Sequence, residues 1–298
     1  MNAVRTQALI DLDPAQMVAV RALLDRAAVT DGVNAVNEAG LLHLSHPADR
    51  VQHVLELPAD GPADGPLRGY AQLEVGAEAS TGQLVVEPDQ RRRHVGLTLL
   101  RRLVELAPGP LHVWAFGDLP AAQALAAAEG WRSVRQLLRM TRPLLEPPPG
   151  PALPDGVTVR TFVPGQDEAA WLAVNARAFA SHPEQGAITA DDLAQLMAQP
   201  WFDPAGFLLA ERDGRLVGSH WTKRHSASLG EVYVLGVDPD AGGRGLGKAL
   251  LDLGLRHLQE VGVSEVELYV EGEHERAVAL YTGRGFTTAN RDVMYARP

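Results

Sequence analysis

Apolar and polar positions along this chain switch between a period near two and a period near 3.6, and the order of the switches occurs twice. The first half opens with a strand at 8–10 and a helix from Asp13 and Pro14 to about Ala28, where Asp13 can cap and Pro14 suits the first turn. A loosely alternating run at 51–57 predicts a strand, and 58–66, rich in Pro, Gly, Ala and Asp, a hairpin loop. Further strands follow at 68–75 and 83–86, and Glu87-Pro88-Asp89 turns the chain into a helix over 90–106. A strand at 111–116, an alanine-rich helix at 121–129 ended by Gly130, and a strand at 134–140 complete this half. The second half predicts a strand at 157–162, a helix at 167–179, and two strands at 207–212 and 215–222 joined across Asp213-Gly214, a strong hairpin signal. A strand at 231–237 leads through a glycine-dense loop into a helix reaching about Glu260, whose Leu246, Leu250, Leu253 and Leu251, Leu255, Leu258 form a broad apolar face. A strand at 265–270, a short helix at 274–281 closed by Gly283, and a strand at 292–296 end the pattern.

Between the halves lies 143–156, with six prolines in fourteen residues, which can continue neither a helix nor a central strand and reads as a semi-rigid linker. The expected organisation is a first domain at 1–143, a linker at 144–156 and a second domain at 157–298, each domain of ordinary size. The halves also match residue by residue. Val86-Glu87-Pro88-Asp89 recurs 151 positions later as Val237-Asp238-Pro239-Asp240, and the same displacement carries Arg93 to Arg244, Gly96 to Gly247 and Leu99-Leu100 to Leu250-Leu251. Farther on, Leu125 and Gly130-Trp131 match Leu280 and Gly285-Phe286 at a displacement of 155. Duplication of one αβ fold is the simplest account, because chance similarity would not keep a proline turn and a glycine loop in register.

Composition narrows the function. With 298 residues, the chain can bury a core in each half. Lys and Arg total 27 against 37 for Asp and Glu, a formal charge of −10, which argues against a nucleic-acid binder, although Arg91-Arg92-Arg93 is free to meet the phosphates of a small cofactor. Without cysteine, disulfides, thiolate metal sites and cysteine nucleophiles are excluded, and no metal is expected. The first residues form no apolar signal region and no apolar run reaches membrane-spanning length, so a soluble, cytoplasmic protein without membrane association is the default. A monomer is the working expectation for assembly.

The stretch 234–251 carries the candidate chemistry: an apolar strand, an Asp-Pro turn, the loop Gly242-Gly243-Arg244-Gly245-Leu246-Gly247-Lys248, then the apolar helix. Glycines at the mouth of a helix let its unpaired N–H groups approach a phosphate, and the helix dipole adds a positive end. Gly242 to Lys248 fits the first part of a nucleotide-triphosphate loop, but Ala249 stands where Ser or Thr would hold magnesium. The dinucleotide fingerprint fails as well, since Lys248-Ala249-Leu250 follows Gly245-Leu246-Gly247. The loop instead resembles the acyl-coenzyme A loop of the GNAT N-acetyltransferases, Gln/Arg-x-x-Gly-x-Gly/Ala after a strand ending in Val-x-Pro. Gly245 and Gly247 match that pattern, and Gly242 replaces the usual Gln/Arg. The resemblance implies an α/β (α+β) chain of two tandem acyl-CoA-binding folds, each a mixed, mostly antiparallel sheet flanked by helices, with acetyl-CoA as co-substrate. It implies further that the tyrosine of a Leu-Tyr-x-x-x-Gly-Phe segment protonates the departing sulfur. Leu280-Tyr281-Thr282-Gly283-Arg284-Gly285-Phe286 matches, so Tyr281 is the candidate acid, and its first-half counterpart is Ala126. Glu231, on the strand before the loop, is the candidate base; a displacement of 151 makes Ser80 its first-half counterpart. His94 also stands in the first loop where a glycine is expected. The second domain is therefore the expected catalyst.

A narrower likeness spreads over both halves. Segments 29–33, His182-Pro183-Glu184-Gln185-Gly186, Trp201-Phe202-Asp203-Pro204, His220-Trp221-Thr222-Lys223 and 230–239 resemble the mycothiol synthases, a family of tandem GNAT enzymes. This resemblance implies transfer of acetyl from acetyl-CoA to the cysteinyl amine of a cysteinyl-glucosaminyl-inositol, a small thiol-sugar amine, giving mycothiol. The acceptor-binding residues it implies are Glu38, Glu184, Lys223, Glu231 and Tyr269. The implied CoA contacts are Leu235, Gly236, Val237 and Gly242, Gly243, Arg244, Gly245, Leu246, Gly247, Lys248 in the second domain. In the first they are Leu84, Val85, Val86 and Arg91, Arg92, Arg93, His94, Val95, Gly96. His274 stands where the family has Asn near the pantetheine arm. Two alternatives are a tandem GNAT acting on another amine, such as an aminoglycoside or a protein N-terminus, and a non-catalytic acyl-CoA sensor.

Overall fold

The structure, a computed structural model, describes residues 4–46, 48–58, 66–146, 148, 150–180, 185–243 and 245–297; the side chain of Glu38 also lies outside the description. Two compact units emerge: Met1–Leu138 with Glu271–Glu273 and Asn290–Pro298, and Arg139–Val270 with His274–Ala289. They do not follow the chain half by half, since the last residues count with the first unit and the proline-rich stretch with the second.

In the first unit, β1 (Val4–Leu9) leads to α1 (Pro14–Asp31) and α2 (Glu38–His43). A capping box opens α1, with Gln16 N–H donating to the Asp13 side chain at 2.8 Å and Asp13 N–H to the Gln16 side chain at 3.0 Å, and left-handed Gly32 ends it. Strands β2 (Val51–Pro58), β3 (Gly69–Glu74) and β4 (Ser80–Val86) pair antiparallel in sequence order. A 3-10 turn, Pro88–Gln90, precedes α3 (Val95–Leu106). The crossover through a helix then permits β5 (Leu111–Ala115) to pair parallel with β4. α4 (Pro120–Ala128) and the start of β6 (Arg132–Pro143) follow. Alternation of side chains splits the core into two layers: Leu55, Leu57, Tyr70 and Val85 pack on α1, and Val54, Ala71 and Leu73 on α3.

The second unit repeats the plan with β7 (Val157–Thr161), α5 (Glu168–Ala178), α6 (Ala190–Met197), β8 (Phe207–Arg212), β9 (Arg215–Arg224) and β10 (Leu229–Val237). The 3-10 turn Pro239–Ala241, α7 (Leu246–Glu260), β11 (Glu265–Glu271), α8 (Glu275–Thr282) and β12 (Thr287–Ala296) complete it. β7 to β10 pair antiparallel and β10 with β11 parallel. One face carries an aromatic core, Trp171, Phe207 and Trp221, with Phe207 and Trp221 stacked at 4.4 Å; the other packs Ala210 and Val157 against Leu246 and Leu250 of α7. From Val293, β12 pairs antiparallel with β5 of the first unit, to which those residues belong.

The mixed, mostly antiparallel sheets flanked by helices agree with the sequence expectation. Three differences have local causes. The helix expected over 90–106 starts only at Val95, because Arg92 and His94 adopt φ of 61° and 65°, outside any right-handed helix. β4 begins at Ser80, three residues early. The short helices α2 and α6 were not expected: α2 is too brief to show a period, whereas α6 carries a legible capping box, Thr189 with Asp192.

The duplication extends to backbone angles and ion pairs. Arg92 and His94 correspond to Gly243 and Gly245, at φ 80° and 84°, and α3 begins 151 residues before α7. Arg26 pairs with Glu87 at 2.7 Å and, at the same displacement, Arg177 with Asp238 at 2.8 Å, tying the first helix of each unit to its proline turn.

Candidate active site

In the second unit the parallel ladder between β10 and β11 runs from Leu229↔Glu265 to Glu231↔Glu267. Past that pair β10 continues to Val237 with β9 as its ladder partner, so one backbone edge of Leu235, Gly236 and Val237 is free to bind an extended arm as an added strand would. Gly236 is required there, since a Cβ would come within 2.9 Å of the Phe179 ring and 3.2 Å of Ala178. Gly242 caps the 3-10 turn, Gly243 and Gly245 take left-handed angles, and α7 begins at Leu246 with no capping side chain on its first N–H groups. Gly247 lies close to Val237 and Lys248 is exposed. An uncapped N-terminus on a 15-residue helix, approached by glycines, is built for an anionic group such as a diphosphate. Arg244, and likewise Glu184, lie outside the described residues.

Glu231 is 8 % exposed. It stands directly across from Lys223 on β9 and from Glu267 on β11. Lys223 places Nζ over the rings of Trp201 and Tyr233, at 4.9 and 5.1 Å, so the two aromatic faces orient the ammonium. Arg139 of β6 donates to Glu267 at 2.7 Å. His225, in the β9–β10 turn, places Nε2 2.7 Å from Glu231 Oε2 and 3.5 Å from Glu267. The Glu231 hydrogen bond raises the His225 pKa above its ordinary value, against burial. Donor atoms of His225, Glu231 and Glu267 lie within 4.8 Å of one another, a spacing that suits a metal, but Arg139 already neutralises Glu267. Sequence reasoning missed His225, as a histidine in a serine-rich turn announces no partner; only strand register brings it to Glu231. Tyr269, on the face of β11 that carries Glu267, is 47 % exposed.

Tyr281 is buried on α8, edge-on to Phe286 at 5.9 Å, and burial pushes its phenol above the ordinary range. It therefore holds its proton at neutral pH, the state a general acid needs. His274 precedes α8 and makes no capping bond.

One sequence correspondence needs correction. The β9–β10 register shifts between Val232 and Val234, leaving Tyr233 as an extra residue in a β-bulge. The β3–β4 register runs unshifted from Gly69↔Val86 to Glu74↔Thr81. Upstream of the bulge the correspondence slips by one, so Thr81, paired with Glu74 and His112, occupies the place of Glu231 and Ser80 that of Gly230. An added Cβ on Gly230 would meet Leu258 of α7, so Glu231 faces the opposite side of the sheet, toward α5. No carboxylate occupies the first unit's position either way.

The first unit contains a cavity of about 520 Å³ between β4, β5, α3 and α4, lined by Leu84, Val85 and Val86, by Arg91, Arg92 and His94, and by Val95 and Gly96. Ala126 lines it too, where a tyrosine would stand. Arg91 is held by Asp31 in a two-pronged ion pair at 2.7 Å. On the α2 side, Gln83 donates to Gln72 at 2.7 Å and accepts from Asn37 N–H, while Gln72 donates to the Gly40 carbonyl. Gly40 admits no Cβ against these amides, so α2 lies tight on the sheet and the network fills the space over Gln72 and Gln83.

The model of the Acetyltransferase (GNAT) family matches residues 171–286. Mycothiol acetyltransferase of Thermomonospora curvata is 54 % identical over 290 residues, covering 96 % of this chain and 95 % of that protein. The mycothiol acetyltransferase of Streptomyces coelicolor is 51 % identical over 294 residues, with 97 % and 94 % covered. Among solved structures, a GCN5-related N-acetyltransferase from Sphaerobacter thermophilus superposes with a TM-score of 0.74 at 28 % identity, over 98 % of this chain and 96 % of that one. A tandem GNAT protein from the clavulanic acid biosynthesis pathway shares the fold, with a TM-score of 0.71 at 20 % identity over 99 % and 98 % of the two chains. Full-length identity of this order, on two copies of one acyltransferase fold, places the chain in the mycothiol acetyltransferase family of GNAT enzymes.

Proposed function

We propose that the second unit transfers acetyl from acetyl-CoA to the cysteinyl amine of cysteinyl-glucosaminyl-inositol, giving mycothiol and CoA. The observation that carries the reading is a carboxyl and a phenol in one unit: Glu231 hydrogen-bonded to His225, and Tyr281 buried and protonated. Glu231 takes a proton from the acceptor ammonium, directly or through water, and the freed amine attacks the thioester carbonyl. Tyr281 returns a proton to the sulfur as the C–S bond breaks. Acetyl-CoA supplies the activated acetyl; Leu235, Gly236 and Val237 would align its arm, and the loop from Gly242 to Lys248 would hold its diphosphate. Lys223 and Tyr269, together with Glu38 and Glu184, are assigned to the acceptor, whose hydroxyls and ammonium call for polar partners around the pocket. We assign the first unit an acyl-CoA-holding role without turnover. Two non-glycine residues held left-handed in its loop cost on the order of 1–2 kcal/mol each, and such strain persists where surroundings require the geometry.

The described residues include no helix long and apolar enough to cross a membrane; we take the enzyme to be a cytoplasmic monomer that uses no nucleic acid or metal. Incubating the protein with acetyl-CoA and the cysteinyl pseudodisaccharide should yield the N-acetylated thiol. Turnover of a simple aminoglycoside instead would refute the acceptor assignment.

A further inference from the structure

Among the described residues, one side chain is hydrogen-bonded to the carboxylate of Glu231. His225 Nε2 lies 2.7 Å from Glu231 Oε2, while the His225 side chain is 31 % exposed. An ionised carboxylate only accepts, so Nε2 carries the proton and donates. Among the described residues no protein group bonds Oε1. His225 also borders a second cavity of about 350 Å³, with Trp201, Asp203, Thr222, Arg224 and His257.

We propose that His225 is a positioning residue for acetyl transfer: its Nε2–H anchors Oε2 of Glu231 and turns Oε1 toward the acceptor ammonium. The proposal rests on Glu231 being the proton acceptor. Without the anchor, the Glu231 side chain would be free to rotate toward Lys223, directly across the ladder. The charged groups around the imidazole are Glu231 on β10, Glu267 on β11, with Arg139 of β6 behind it, Lys223 and Arg224 on β9, and Asp203 and His257 across the second cavity. The two carboxylates favour the imidazolium and Lys223 opposes it, so the direction of the His225 shift agrees with the geometry.

The test compares His225→Ala, His225→Gln and Glu231→Gln in the full chain, using acetyl-CoA and the cysteinyl acceptor, with circular dichroism and a thermal melt to check folding. Gln can still donate an N–H but cannot titrate. His225→Ala should lower kcat about 10- to 100-fold, as loss of an orienting partner does, with the KM for acetyl-CoA unchanged. The acid limb of its pH–rate profile should move to higher pH, because the carboxylate loses the bond that favours its charged form. His225→Gln should keep the limb near its original place and retain most of the rate, and added imidazole should restore part of the activity of His225→Ala. Wild-type rate and profile in His225→Ala would overturn the proposal. So would equal losses in Ala and Gln variants with no imidazole response. Should the Ala variant not fold, the Gln variant decides: a lost rate with a displaced limb counts against positioning by the N–H. Full activity in Glu231→Gln would instead remove the base assignment itself, whereas an inactive Glu231→Gln beside an unaffected His225→Ala would remove only the inference about His225.

Discussion

At the scale of the residue, Glu231 and Tyr281 have different surroundings. Glu231 is set among a histidine, a lysine across the ladder and an arginine once removed, whereas Tyr281 is buried edge-on to Phe286. Tyr281→Phe should cut kcat by roughly 10²–10⁴-fold, the usual worth of general acid help, with the KM for acetyl-CoA little changed. An unaltered rate would reduce Tyr281 to a packing residue. Glu231→Gln should also lower kcat and abolish the acid limb of the pH–rate profile, while Ser80→Ala and Thr81→Ala in the first unit should do neither. Tyr281 was legible because its segment is contiguous. His225 was not, because only the folded β9–β10 turn brings its ring within 2.7 Å of Glu231.

At the scale of the element, both loops before the long helices share one backbone path, glycine-built in the second unit and forced on Arg92 and His94 in the first. A side chain at a left-handed φ costs on the order of 1 kcal/mol, so the two loops respond oppositely to substitution. Gly245→Ala, at φ 84°, should destabilise by about 1 kcal/mol and raise the KM for acetyl-CoA. His94→Gly should stabilise the protein by up to about 1 kcal/mol in denaturant unfolding, with acetylation unchanged, if the loop path stays as it is. A loss of stability would mean that the imidazole makes up for its backbone strain. The helix boundary expected at 90 shows the same physics: the polar run from Gln90 to His94 holds no glycine or proline to mark a stop, but the left-handed angles at Arg92 and His94 keep the helix from starting before Val95.

At the scale of the whole molecule, His220 couples stability to pH. It is fully buried beneath α7, with Nδ1 2.8 Å from the Leu250 carbonyl, and burial lowers its pKa to about 4. His53, against Tyr70 in the first unit, is likewise lowered to about 4. Unfolded histidine titrates near 6.5, so between pH 6.5 and 4 the unfolded chain binds more protons and the folded state loses ground as pH falls. For His220 alone the full loss is on the order of 3 kcal/mol. Thermal midpoints should hold from pH 8 to about 6.5 and then drop toward pH 5, and His220→Gln should flatten that drop; a flat wild-type profile would contradict the assignment. The division into units belongs to this scale also. Asn290–Pro298 follow the second unit in sequence yet count with the first, because Val293 to Ala296 find their ladder partners on β5.

The amino-acid order by itself determined the duplication and the α/β class, and it singled out the glycine loop and Tyr281 as candidates, since each is written within a few consecutive residues as a period, a turn or a glycine at a helix mouth. Tertiary structure decided the rest. A single extra residue at Tyr233 moved the counterpart of Glu231 from Ser80 to Thr81, pairing across strands joined His225 to Glu231, and the first unit took its last strand from the far end of the chain. All three depend on which backbone lies beside which, and hydrogen-bond register between distant segments leaves no local mark for a sequence to carry.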